Sequence, residues 1–111
     1  MMKTIIYTID KDHIDMEKIR EAGRILADGG LVAFPTETVY GLGADAMDGE
    51  ASKKIYAAKG RPSDNPLIVH ICETEDMARV ARDIPEAAYK LAKAFWPGPL
   101  TMILNKSEAV P

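Results

Sequence analysis

The 111 residues, 47% hydrophobic and 28% charged, have the length and balance of one globular domain. With 14 Lys and Arg against 17 Asp and Glu the net charge is -3, which excludes a polyanion-coating protein and confines any phosphate or nucleic-acid site to a local patch. The single cysteine, Cys72, excludes an intrachain disulfide framework and a cysteine-rich zinc site. No apolar run approaches the ~18 residues of a membrane span, and Asp10 and Asp12 arrive before a signal-peptide core could form, so the expected location is cytoplasmic, without a membrane partner.

Residues 4–9, β-branched and aromatic, predict a short strand. Asp15 is a plausible N-cap for a helix carrying Met16, Ile19, Gly23 and Leu26 at helical spacing, ended by Gly29-Gly30. Leu31 to Phe34 is a compact apolar run stopped by Pro35, which predicts a buried strand. Ala51, Lys54, Ile55 and Ala58 place a helix over about residues 50–59, closed by Gly60. Leu67 to Ile71 reads as a third strand. Thr74 with Glu75 and Asp76 starts a short helix, and Pro85-Glu86 starts another with Ala88, Leu91, Ala92 and Phe95 on one face. Leu100 to Leu104 is the fourth strand. Strands alternating with helices predict an α/β layered domain. A turn-like tail, Ser107 to Pro111, directly follows that last strand, so the chain is expected to be an N-terminal portion of a longer domain.

Four segments carry polar or turn residues in dense clusters. In Pro35-Thr36-Glu37-Thr38-Val39-Tyr40-Gly41-Leu42-Gly43 a buried strand delivers hydroxyl, carboxylate and phenol groups and then two glycines. Loops beyond strand ends are the usual ligand sites of open α/β sheets, and hydroxyls with free backbone N–H groups suit a small zwitterion or a phosphate oxygen. A merely capped turn is the other reading. From Ala51 to Ser63 there are four cations and no anion. Lys53 and Lys54 read as a solvated face, and Lys59 suits a helix C-terminus whatever its function. Pro62 and Pro66 restrict Arg61 and Asn65 to extended conformations, so Arg61, Ser63 and Asn65 lie in a stiffened turn. A preorganised Lys59 and Arg61 suit polyphosphate, as a point charge beside a bidentate fork.

His70 shares a strand face with Ile68. It is either a satisfied edge residue or, if it faces the Thr36 loop, a hydrogen-bonding partner for a substrate carboxylate. Phe95-Trp96-Pro97-Gly98-Pro99 reads as structure, with both aromatics as core or hinge anchors rather than a base-stacking platform.

Three of these motifs, Pro35 to Gly43, Ala58 to Leu67 and Trp96 to Thr101, resemble the YrdC family in order and spacing along the whole chain. These are the threonylcarbamoyl-AMP synthases of tRNA modification. The resemblance implies an open, twisted, mixed α/β sheet with helices packed on it (the YrdC-like or RibB-like fold) and a positive concave face. It implies a nucleotidyltransferase that joins L-threonine, bicarbonate and ATP, with Mg2+ on the nucleotide, into threonylcarbamoyl-AMP and pyrophosphate. A partner transferase complex would then modify the adenosine beside the anticodon of tRNA. Carried over by motif, Lys59 and Arg61 would contact the nucleotide phosphates and serve as the catalytic pair. Thr36 and His70 would line the threonine pocket, with Asn65, Ser63 and Tyr40 beside the nucleotide. No protein-held metal is implied.

In the family the domain continues to a Ser-x-Asn motif beyond the point reached here, so this portion alone is expected to be weak or inactive and to self-associate through an exposed sheet edge. Two alternatives stand beside the synthase. One is a double-stranded RNA or tRNA-binding module, recognisable by a steep salt dependence. The other is a YrdC-like domain that handles carbamoyl-adenylate.

Overall fold

The structure is a computed structural model, and it describes residues 3–60 and 67–111. In chain order it comprises α1 (Met16–Ala27), β1 (Val32–Phe34), β2 (Gly41–Gly43), α2 (Gly49–Lys59), a 3-10 turn (Thr74–Asp76), α3 (Met77–Val80), β3 (Ala81–Arg82), α4 (Glu86–Phe95) and β4 (Asn105–Lys106). Among the described residues no helix is long and apolar enough to cross a membrane.

Local chemistry sets the helix limits. The Asp15 carboxylate accepts the Glu17 N–H at 3.0 Å and opens α1. Gly29, at φ 86°, closes it. Its N–H reaches the Leu26 carbonyl and that of Gly30 reaches Ile25, the paired bonds of a Schellman ending. Gly30 is needed on steric grounds as well, since a Cβ there would lie 2.7 Å from the Ile25 side chain. Asp48 caps α2 through Glu50 and Ala51 N–H groups, and Gly60 ends it at φ 67°.

Among the described residues two antiparallel strand pairs form. β1 and β2 are a hairpin with Val32 opposite Gly43, Ala33 opposite Leu42 and Phe34 opposite Gly41. β3 and β4 join Ala81 to Lys106 and Arg82 to Asn105. The apolar centre is built from Met77, Ala88 and Ala92, with Ile71, Ile84, Trp96, Met102 and Leu104 packed around it. Ala51 and Ile55, four residues apart on α2, are also buried.

Three expected strands are not laddered. Residues 4–9, 67–71 and 100–104 lie outside regular structure, because a strand persists only beside a hydrogen-bonding neighbour. The strand pattern itself survives at 100–104. Met102 and Leu104 pack on the centre, while Ile103 between them is 98% exposed. Residues 4–9 are tied to α1 by side chains instead. Lys18 donates to the Thr8 carbonyl and sits over the Tyr7 ring, and a hydrogen bond with Glu21 raises the Tyr7 phenol above its ordinary pKa. A compact chain of 12.1 kDa exposes about 6,000 Å², whereas this one exposes 9005 Å². Large apolar side chains left exposed include Ile6, Ile68 and Ile103.

Candidate functional site

Residues 35–40 connect β1 to β2 and carry the first cluster of expected site residues. The Thr36 hydroxyl donates to the Val39 carbonyl and accepts the Thr38 N–H at 3.2 Å, with the Thr38 hydroxyl 3.5 Å away. The turn is therefore capped by its own side chain, as one of the two sequence readings requires. It also leaves Val39 and Tyr40 more than 70% exposed at its tip. Thr36 lies just beyond the end of β1, and its methyl carbon and the Phe34 ring both stand against Gly41.

The Phe34 ring crosses to β2. A Cβ at Gly41 would stand 3.2 Å from two ring atoms, and one at Gly43 only 2.9 Å from a third. The glycines read as loop residues in the sequence are thus strand residues whose missing side chains make room for an aromatic ring. Against the ring stands His70, with centroids 6.2 Å apart and planes at 77°, an edge-to-face pair. His70 Nδ1 lies 3.2 Å from the Ile68 carbonyl. A carbonyl only accepts, so Nδ1 carries the hydrogen and Nε2 is the ring nitrogen left for a ligand. The structure therefore joins His70 to the Thr36 hairpin through Phe34. Sequence reasoning treated Phe34 as a buried strand residue only. The available signal was its place two residues before Thr36 together with two glycines at alternate positions of the facing strand.

The cations divide by role. Lys53 pairs with Glu50 at 3.1 Å on an exposed face. Lys54 departs from the solvated-face expectation: its ammonium donates to the Gly29 carbonyl at 2.7 Å, joining α2 to the end of α1. A carbonyl at a helix C-terminus attracts a cation, which is the physical reason. Lys59, in the last turn of α2, is exposed and has no hydrogen-bond or ion-pair partner among the described residues. Arg61, Ser63 and Asn65 lie outside the described residues. No group of three or more His, Cys, Asp or Glu that could hold a metal ion occurs among the described residues.

The Trp96 anchor behaves as expected. Its indole N–H donates to the Leu100 carbonyl at 2.9 Å, and its ring packs on the Met77 centre. Phe95 does not: it is 59% exposed, beside Pro99 and Leu100. The Trp96-Pro97 bond that follows α4 is cis.

Comparison with known proteins adds the following. The Sua5_yciO_yrdC family model, described as "Telomere recombination", matches residues 24–111. A threonylcarbamoyl-AMP synthase of Pyrococcus abyssi (strain GE5 / Orsay) is 57% identical over 108 residues, which cover 97% of this chain and 32% of that protein. A threonylcarbamoyl-AMP synthase of Bacillus subtilis (strain 168) is 56% identical over 87 residues, 78% of this chain and 25% of the relative. A crystal structure of P. abyssi Sua5 complexed with L-threonine superposes with a TM-score of 0.92 at 57% identity, again covering 97% of this chain and 32% of that one. The chain thus spans about a third or less of the length of these relatives.

Proposed function

The chain belongs to the Sua5/YciO/YrdC family, and from that footing we propose that it supplies the threonine wall and the phosphate arm of a threonylcarbamoyl-AMP synthase. One observation carries the reading: 57% identity over 97% of the chain to a relative bearing that name. The geometry agrees with it. The Thr36 hydroxyl hydrogen is engaged by Val39, so toward a ligand its oxygen accepts, as the ammonium or hydroxyl of threonine requires. Nε2 of His70 accepts when neutral and donates to a carboxylate when protonated.

In the proposed reaction the amino nitrogen of threonine bonds to the carbon of bicarbonate with loss of water, giving a carbamate. A carbamate oxygen then attacks the α-phosphorus of ATP, the bond to the β-phosphate oxygen breaks, and pyrophosphate leaves. Two anions must meet, so the protein's contribution is positioning and charge neutralisation. Lys59 and Arg61 would hold the phosphates, with Asn65, Ser63 and Tyr40 beside the nucleotide. Mg2+ would arrive on the phosphates, as it commonly does. A separate transferase would consume the adenylate and pass the threonylcarbamoyl group to tRNA.

The test is a chimera in which this chain replaces the matching third of the P. abyssi relative. Pyrophosphate release should need L-threonine, bicarbonate and ATP together. A folded chimera that releases pyrophosphate equally well without threonine would refute the proposal, and carbamoyl phosphate replacing threonine and bicarbonate would favour the carbamoyl-adenylate alternative. The RNA-binding alternative is weakened by the engagement of Lys53 with Glu50 and of Lys54 with Gly29.

The isolated chain should self-associate. A stable interface needs about 800 Å² per partner, well below the surplus surface, and residues 101–104 lie outside any strand ladder among the described residues, with Ile103 outward. Sedimentation velocity should show mass rising with concentration, and Ile103→Lys should return the chain toward monomer. A sharp monomer boundary throughout the concentration series would contradict this.

A further inference from the structure

We propose that Phe34 is a positioning residue: its ring, seated on Gly41 and Gly43, fixes where His70 stands relative to the Thr36 turn. What it positions His70 for rests on the threonine-pocket reading above; the seat itself does not.

Glycines are usually kept for backbone conformations with positive φ or for close approach. Positive φ is found at Gly29 and Gly60 and not at Gly41 or Gly43. Close approach remains, and the approaching group is the Phe34 ring, 2.9 Å from a Cβ built at Gly43 and 3.2 Å from one at Gly41. The hairpin register makes this a cross-strand seat, since Phe34 faces Gly41 directly and Gly43 diagonally. His70 has little else to set its tilt. Its segment lies outside any ladder, and among the described residues its hydrogen bond is to Ile68, two residues away. Among the described residues, the edge-to-face contact with Phe34 is a long-range contact available to orient the imidazole. Thr36 follows Phe34 by two residues, and its methyl carbon lies 3.6 Å from a Cβ built at Gly41, so the ring, the threonine and the histidine share one frame.

The test uses the 111-residue chain with Phe34→Leu, Phe34→Tyr, Gly43→Ala and the Phe34→Leu/Gly43→Ala double variant. Trp96 fluorescence, from the separate Met77 cluster, verifies folding. The first readout is the carbon-bound proton resonances of the His70 imidazole without ligand, and the second is the L-threonine dissociation constant by calorimetry. Phe34→Leu should shift the His70 resonances as the ring current disappears. It should weaken threonine binding by about two- to tenfold, the worth of an aromatic pair, while Phe34→Tyr restores both. Gly43→Ala should disturb His70 when the ring is present and add nothing once Phe34 is leucine. Unchanged His70 resonances in Phe34→Leu, or additive effects in the double variant, would overturn the proposal. An unmodified chain that binds no threonine refutes the pocket reading alone, because the His70 resonances still decide whether Phe34 sets the histidine.

Discussion

Lys59→Ala, introduced into the chimera with the P. abyssi relative, should lower pyrophosphate release by about 10²–10³-fold, the usual consequence of removing one preorganised charge donor from a transition state. The expectation comes from how the cations of α2 are used. Lys53 is paired with Glu50, Lys54 is bound to the Gly29 carbonyl, and Lys59 at the helix end has no hydrogen-bond or ion-pair partner among the described residues. Gly60 turns the chain sharply at φ 67° directly after it, so the ammonium stands where α2 ends. Arg61→Ala should cause a loss of similar size, because a guanidinium grips phosphate oxygens bidentately and a lone lysine cannot replace it. Lys53→Ala is the control and should leave the rate within about twofold, since an exposed ion pair contributes little. A rate for Lys59→Ala close to that of Lys53→Ala would remove Lys59 from the site.

Met77→Ala should destabilise the chain by about 2–5 kcal/mol, the range for a buried methionine reduced to alanine. Met77 is 2% exposed and packs with Ala88 and Ala92 at the middle of the apolar cluster, so its truncation removes buried contacts. Domains of this size have only about 5–15 kcal/mol in hand, and a chain with 9005 Å² still exposed belongs near the lower end. Urea unfolding followed by Trp96 fluorescence, which reports on the same cluster, should show the midpoint falling by about 1–2 M at a slope typical of small proteins. Ile103→Ala, at a position 98% exposed, should move it by less than about 0.5 kcal/mol. Equal midpoint shifts for the two variants would mean that the apolar centre is not where the structure places it.

The helices were legible because their ends are written in local chemistry. Asp15, Gly29-Gly30, Gly60 and Pro85 act on the few residues beside them, and α1, α2 and α4 begin and stop accordingly. The strands were legible only in part. At 100–104 the alternation is right, with Met102 and Leu104 inward and Ile103 outward, yet no ladder forms, since pairing depends on a neighbour distant in the chain. β2 was missed for the opposite reason. Gly-x-Gly has poor strand propensity, and only the Phe34 ring lying across it explains why glycine is needed there. In the candidate site, placing His70 near the Thr36 turn was a conditional reading that the Phe34 contact now supports. The role of Lys54 was not legible, because its partner is a backbone carbonyl 25 residues earlier.

Amide spectra of the labelled 111-residue chain, recorded while L-threonine and then Mg·ATP are added, bear most directly on whether half of a synthase cleft is present. Threonine should perturb Thr36 to Tyr40 and His70 in a saturable way, and the nucleotide should perturb Lys59 and Gly60. If both regions stay still up to millimolar concentrations of the two ligands, these residues do not form the cleft assigned to them.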